Sequence, residues 1–250
     1  MTPKFKLFIL LWLLGMLGEV TLLWAELPLP ADSLPLPVHT IKLLSLLQST
    51  LILTVAVGLG VGLASRVQLS APWLEAIAQG RPLTQQTIQQ PLIRGVAGGL
   101  ISAILALLWL TTLQADLPPE FLIAAEELQL PLLTRILRGG ITEEILMRWG
   151  LMTLLVWLPW RVLQHRRGKP QSGYYWLAIA LVAAIFGVLH LPIAFLLSPE
   201  VTGILVVYVI GANAIVGAIA GYLYWQWGLE AAIIAHGLFH ICIAITEPLR

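Results

Sequence analysis

Charged side chains are scarce in this chain. Lys and Arg number 14 and Asp and Glu 13 among 250 residues, or 11%, where soluble globular proteins average roughly 25%. That leaves too few polar groups to coat a water-facing surface, which excludes an ordinary soluble domain. The net charge of +1 provides no basic stripe for nucleic acid. Cys242 is the single cysteine, so an intramolecular disulfide is excluded, and the residue reads as a small buried hydrophobe. Alternating apolar and polar strands are also missing, which argues against a transmembrane β-barrel. No internal repeat is visible, and this weakens a transporter built on inverted repeats.

What fills the chain is hydrophobic: 58% of residues, with a mean hydropathy of +0.88. An α-helical span needs about 20 mostly apolar residues. Phe5–Trp24, Ile41–Ala64, Pro91–Leu113, Leu132–Leu158, Tyr174–Leu197, Val201–Tyr224 and Gly228–Ile245 meet that measure. The expectation is an all-α, polytopic transmembrane helical bundle of about seven spans, a single membrane domain over residues 1–250 with a motif-bearing core at 132–245. A basic start followed by an apolar run also marks secretory signal peptides. Here the run is long for that purpose and no A-x-A-like site closes it, so an uncleaved first helix is expected.

Loop charge sets the sidedness. Lys4 and Lys6, then Arg66, Arg81 and Arg94, then Arg161, His165, Arg166, Arg167 and Lys169 recur on one side of successive helix pairs. The alternate connections carry Glu26 and Asp32, then Asp116, Glu120, Glu126 and Glu127, then Glu200. The positive-inside rule therefore predicts a multi-pass protein of the cell inner membrane with a cytoplasmic N-terminus. Leu27–Pro37 reads as an extended, proline-rich external connector. Leu69–Gln90 is too polar to cross; within it Ala71–Ala78 fits a short interfacial helix with Trp73 at headgroup depth, or a plain cytoplasmic loop.

An ionisable side chain at mid-membrane costs at least about 2.5–3.5 kcal/mol on insertion scales, so it faces protein and marks function. The fourth span reads Gly139-Gly140-Ile141-Thr142-Glu143-Glu144-Ile145-Leu146-Met147-Arg148. Glu144 and Arg148 are spaced i, i+4 and can pair on one face, while Glu143 projects about 100° away on a regular α-helix. One glutamate can be neutralised by arginine while the other stays available for chemistry. The fifth span carries Phe186 and His190 followed by Pro192, which removes a helical hydrogen bond. The seventh places His236 and His240 four residues apart. At about 1.5 Å rise per residue, Glu143, His190 and His236 lie roughly 22, 24 and 16 Å from the cytoplasmic ends of their helices. Three spans deliver polar groups to one broad middle layer, which points to a shared site.

These residues resemble the CAAX-protease and bacteriocin-processing membrane peptidases, also called abortive-infection proteins. The family's pattern is EExxxR, then FxxxH, then HxxxN or HxxxD on a final helix. Glu143-Glu144 with Arg148 matches the first and Phe186 with His190 the second; His236 opens the third, with His240 where Asn or Asp is usual. Asn213, Gly217, Gly221 and Tyr224 look like the family's glycine-bearing helix. The resemblance implies that Glu143 is the general base, activating water together with His190. It implies that His236 stabilises the oxyanion with His240 assisting, and that Glu144 and Arg148 form a structural pair, supported by Phe186 and Asn213. Donors aimed at a developing oxyanion gain strength in a dry site.

The expected function is therefore an intramembrane endopeptidase acting on a membrane-associated peptide or protein, with membrane lipids as surroundings and no nucleic acid as partner. No cofactor is expected. The alternative is zinc held by Glu143, His190, His236 and His240, since a histidine at position 240 can ligate metal where asparagine would not. Two other classes stand beside the peptidase: a non-catalytic scaffold, immunity or assembly protein, and a proton or small-ion carrier. A cavity wide enough for an extended peptide distinguishes the first from the second.

Overall fold

The computed structural model describes residues 1–24, 36–128 and 130–246. Most of the expected Leu27–Pro37 connector, with Glu26 and Asp32, lies outside the described residues. Within them the protein is all-helical, with no strand. In chain order come α1 (Pro3–Thr21), α2 (Val38–Leu63), α3 (Pro72–Gln79), α4 (Gln85–Leu113) and α5 (Pro119–Glu127). After a long helix over 132–162 follow α8 (Ser172–Leu189), α9 (Leu191–Leu197), α10 (Gly203–Trp227) and α11 (Leu229–Thr246). The 132–162 helix is built from α6 (Leu132–Thr134), two π-helical segments, π1 (Arg135–Glu143) and π2 (Ile145–Met152), and α7 (Thr153–Val162).

Among the described residues five helical stretches are long and apolar enough to cross a membrane: Val38–Val67, Gln85–Asp116, Ser172–Leu197, Gly203–Trp227 and Leu229–Thr246. The protein is an integral membrane protein. Two of the seven expected spans are helical but fall outside that set, each for a visible reason. The first is 19 residues long and includes Lys4, Lys6 and Glu19. The fourth is divided between helix types and carries Arg135, Arg138, Glu143, Glu144 and Arg148.

π-Helices, with i→i+5 hydrogen bonds, are rare, and where they occur they concentrate at functional sites. Here two occupy the middle of the bundle: α1 packs on π1, α2 on π2, and α11 on π1 and α4, while α10 packs on α8 and α4. Apolar association is not a driving force between helices in lipid, so close backbone approach and polar contacts take over. Glycines provide that approach. A Cβ at Gly95 or Gly99 of α4 would stand 2.8 Å from the carbonyl oxygen of Ala231 or Ala235 on α11. A buried cluster including Leu11, Leu53, Ile145, Trp149, Met152 and Tyr224 fills the space between α1, α2, π2 and α10.

The short helix expected near Ala71–Ala78 is present as α3 and ends on Gly80 in the left-handed region, φ 68°. It is tied to α11 by Glu230, whose Oε1 accepts from the backbone N–H groups of Trp73 at 2.8 Å and Leu74 at 3.0 Å. Ser70 O accepts from Leu229 N at 3.0 Å, and Thr87 O on α4 accepts from Trp73 Nε1 at 2.8 Å. At the opposite end the acidic connection forms α5, whose Phe121, with Leu117, packs on Ala194 of α9 and on Leu205 and Val209 of α10.

Candidate active site

The site grows out of the two π-segments. Glu144, at their junction, and Arg148 are both fully buried, with Glu144 Oε1 and Arg148 Nη1 3.0 Å apart. The pair is ionic rather than a directed hydrogen bond. Arg148 also donates from Nη2 to Gly217 O at 2.8 Å and lies 5.2 Å from the Phe186 ring centroid. Gly217 allows that close approach: a Cβ there would stand 3.1 Å from Ala183 Cα and 3.3 Å from Arg148 Nη2, so both neighbours would have to give way. The spacing i, i+4 thus delivers the expected pair, and α10 completes it.

Glu144 has a second partner. His236 Nδ1, from α11, stands 2.8 Å from the same Oε1, and His236 is only 3% exposed. The nitrogen facing a carboxylate oxygen is the donor, so Nδ1 carries the proton and Nε2 is directed elsewhere. Reading Glu144 only as a partner for arginine missed this role in orienting a histidine. No spacing rule within one helix connects residues 92 apart.

His240 lies one turn beyond His236, their rings stacked at 4.8 Å with 23° between planes. Its Nε2 is buried and has no hydrogen-bond partner. Gly139 of π1 makes room for it, since a Cβ there would collide with His240 Nε2. Gly140 does the same for the α11 backbone, where a Cβ would stand 2.9 Å from Gly237 Cα. The Gly139-Gly140 pair is what seats α11 against the π-helix.

His190 sits where α8 ends and α9 begins, with Pro192 in the first turn of α9. The break expected at Pro192 divides the Tyr174–Leu197 span into two helices there. The Nδ1 of His190 donates to Phe186 O at 2.8 Å, which leaves Nε2 able to accept a proton. Phe186 is the common wall, its ring 4.7 Å from that of His190 and 5.7 Å from that of His236, both edge to face.

Glu143 differs from its expected state. Instead of an unengaged carboxylate, it accepts from Arg138 Nη1 at 2.8 Å, with side-chain exposures of 15% and 38% respectively. On an α-helix residues five apart face different directions, whereas the i→i+5 repeat of a π-helix aligns them. Asn213 donates to Val209 O within its own helix at 2.8 Å and makes no hydrogen bond to the cluster. The structure thus joins Glu144, Arg148, His236, His240, Phe186 and His190, with Glu143 next to Glu144 in sequence but held by Arg138.

Among the described residues no group of three or more His, Cys, Asp and Glu side chains stands in metal-holding geometry. The rings of His236 and His240 stack face to face, and with Nδ1 of His236 and of His190 engaged by Glu144 and Phe186 O, each of those two histidines has only Nε2 left for a further partner. Glu143, His190, His236 and His240 do not form such a group here. Two cavities, of about 410 and about 400 Å³, lie elsewhere. One borders α3, at Ser70, Glu75, Arg81 and Thr87, and the other is on the apolar flank of α4, at Leu105, Trp109 and Ile215.

Fold and site together define a polytopic helical membrane protein in which a Glu–Arg pair on a central π-helical stretch meets a histidine from α11. Residues 126–242, just under half of the chain, match the family model of Rce1-like type II CAAX prenyl endopeptidases. That stretch contains Glu143, Glu144, Arg148, Phe186, His190 and His236, the residues that carry the family resemblance, and His240, which departs from it. No curated protein and no solved structure matches the chain.

Proposed function

We propose that the protein is an intramembrane endopeptidase that hydrolyses a peptide bond of a membrane-associated peptide or protein. The observation that carries this reading is the oriented pair of histidines around Phe186: His236 fixed through Nδ1 by Glu144, and His190 fixed through Nδ1 by Phe186 O. A histidine locked at one nitrogen presents the other to the reaction. Glu143, once Arg138 releases it, is set to take a proton from the water whose oxygen adds to the peptide carbonyl carbon, with His190 Nε2 accepting a hydrogen bond from the same water. That proton passes to the departing amine as the C–N bond breaks. His236, oriented through Nδ1 by Glu144, is set to donate to the oxyanion from a protonated Nε2. His240 Nε2, buried and unpartnered, assists there as a second donor. The mechanism assigns no step to metal. The orientation that accompanies it has the N-terminus and the 161–169 segment in the cytoplasm and seven crossings in an inner membrane.

Comparing peptide accumulation in native membranes carrying wild type or Glu143→Ala tests the reading. Substrate should accumulate in the variant; identical peptide profiles would remove it. A scaffold of the same family is the second reading, favoured by the full burial of Glu144 and Arg148 and by two cavities that lie away from the cluster. Under that reading the Glu143→Ala and wild-type profiles coincide.

A further inference from the structure

Three carboxylates lie on or beside π1. Glu144 is matched by Arg148 and His236. Glu143 is matched by Arg138. Glu19, on α1, is only 3% exposed, and its Oε2 is buried with no hydrogen-bond partner. A buried carboxylate oxygen without a partner is costly in a membrane bundle, and an ionisable residue there is a mark of function.

Glu19 lies on the helix that packs directly against π1. Next to it in sequence, Gly18 is so close to π1 that a Cβ would stand 2.6 Å from Leu137 O and 2.8 Å from Arg138 Cα. One turn earlier, Gly15 O accepts from Thr142 Oγ1 at 2.7 Å. The backbones of α1 and π1 are therefore in contact at the level of Arg138, and an arginine and a glutamate side chain together are long enough to meet across such a contact. Arg138 also has an unsatisfied atom: its Nε is buried and has no acceptor. Glu19 Oε2 and Arg138 Nε are thus both buried and unpartnered, on two helices that pack together.

We propose that Arg138 is shared between Glu143 and Glu19, and that its transfer to Glu19 frees the Glu143 carboxylate to take a proton from water. Arg138 and Glu19 are positioning residues in this scheme and touch no substrate. The inference rests on the peptidase reading for its consequence, but the shared arginine itself does not. In the state seen here, Arg138 Nη1 occupies Glu143 Oε1, the atom a general base would use. A guanidinium moving to a second carboxylate keeps its charge paired throughout, so the exchange avoids exposing a bare cation to lipid.

Two double-mutant cycles test it. The first reads catalysis in reconstituted vesicles. Glu19→Gln should lower kcat at least about tenfold with KM unchanged, part of the ~10²–10⁴-fold that a general base contributes. Adding Arg138→Gln to Glu19→Gln should restore most of that loss, because Glu143 is then no longer held. Unchanged kcat in Glu19→Gln, or a double variant no faster than the single, overturns the proposal. The second cycle reads thermal unfolding in detergent and needs no activity. In a Glu143→Gln background Arg138 has only Glu19 to turn to, so Glu19→Gln should lower the midpoint, and Arg138→Gln should abolish that effect. Strictly additive midpoints would overturn the sharing. Clear coupling in an inactive wild type would instead remove the catalytic consequence and, with it, the peptidase reading.

Discussion

Replacing Arg148 with alanine removes three contacts: the 3.0 Å ion pair with Glu144, the 2.8 Å bond to Gly217 O and the approach to the Phe186 ring at 5.2 Å. Glu144 would keep only His236 to offset a fully buried charge. Breaking a buried pair by deleting one member typically costs about 3–5 kcal/mol, most of it the penalty on the partner left behind. Glu143→Ala offers the contrast. Its partner Arg138 is 38% exposed, so the pair is not sealed inside the protein as Glu144 and Arg148 are, and its loss should cost less. Arg148→Ala should therefore be the less stable of the two variants. Thermal and denaturant unfolding of the two purified variants beside wild type, in one detergent, measures the gap. Equal stabilities, or a less stable Glu143→Ala, would show that Glu143 is the structural glutamate and refute the division of roles.

Other outcomes follow from single contacts. Gly139→Ala should impair folding because its Cβ meets His240 Nε2, and His240→Asn, with a shorter side chain, should recover part of the yield. His240→Asn alone should keep activity within roughly the 10²–10³-fold that one oxyanion donor is worth. Elemental analysis of wild type and that variant, beside a chelator-treated assay, decides the role of metal. Stoichiometric zinc in wild type that is absent from His240→Asn would overturn the metal-free mechanism. For sidedness, a cysteine at Gln164 should label only from the cytoplasmic face and one at Glu120 only from outside, in a chain whose Cys242 is replaced by serine. External labelling of the Gln164 position would invert the orientation.

Much of the bundle is legible because lipid makes hydropathy and length decisive. The charges that disqualify the first and fourth helices by composition are also those that build the site. The pairing of Glu144 with Arg148 is legible too, since i, i+4 spacing changes little between neighbouring helix types. Arg138 with Glu143 is not: α-helical geometry puts residues five apart on different faces, and nothing in the sequence announces a π-helix. Gly139 and Gly140 were the available hint, two residues without side chains where α11 needed to come close. Glu19 was overlooked because one carboxylate near the end of an apolar run resembles an ordinary interfacial residue. Its burial depends on α1 packing against π1. The tie between Glu230 and the start of α3 joins residues about 157 positions apart, beyond any local pattern.

The central claim is that Glu143 and the oriented histidines hydrolyse a peptide bond. Purified protein in lipid vesicles, incubated with a membrane-peptide library and read by mass spectrometry, tests it most directly when wild type is run beside Glu143→Gln and His190→Ala. Wild type should generate discrete cleavage products, and each variant should lose at least about 10²-fold in rate while retaining the wild-type unfolding midpoint to within a few degrees. Products formed equally by wild type and Glu143→Gln, or by neither, would contradict the account.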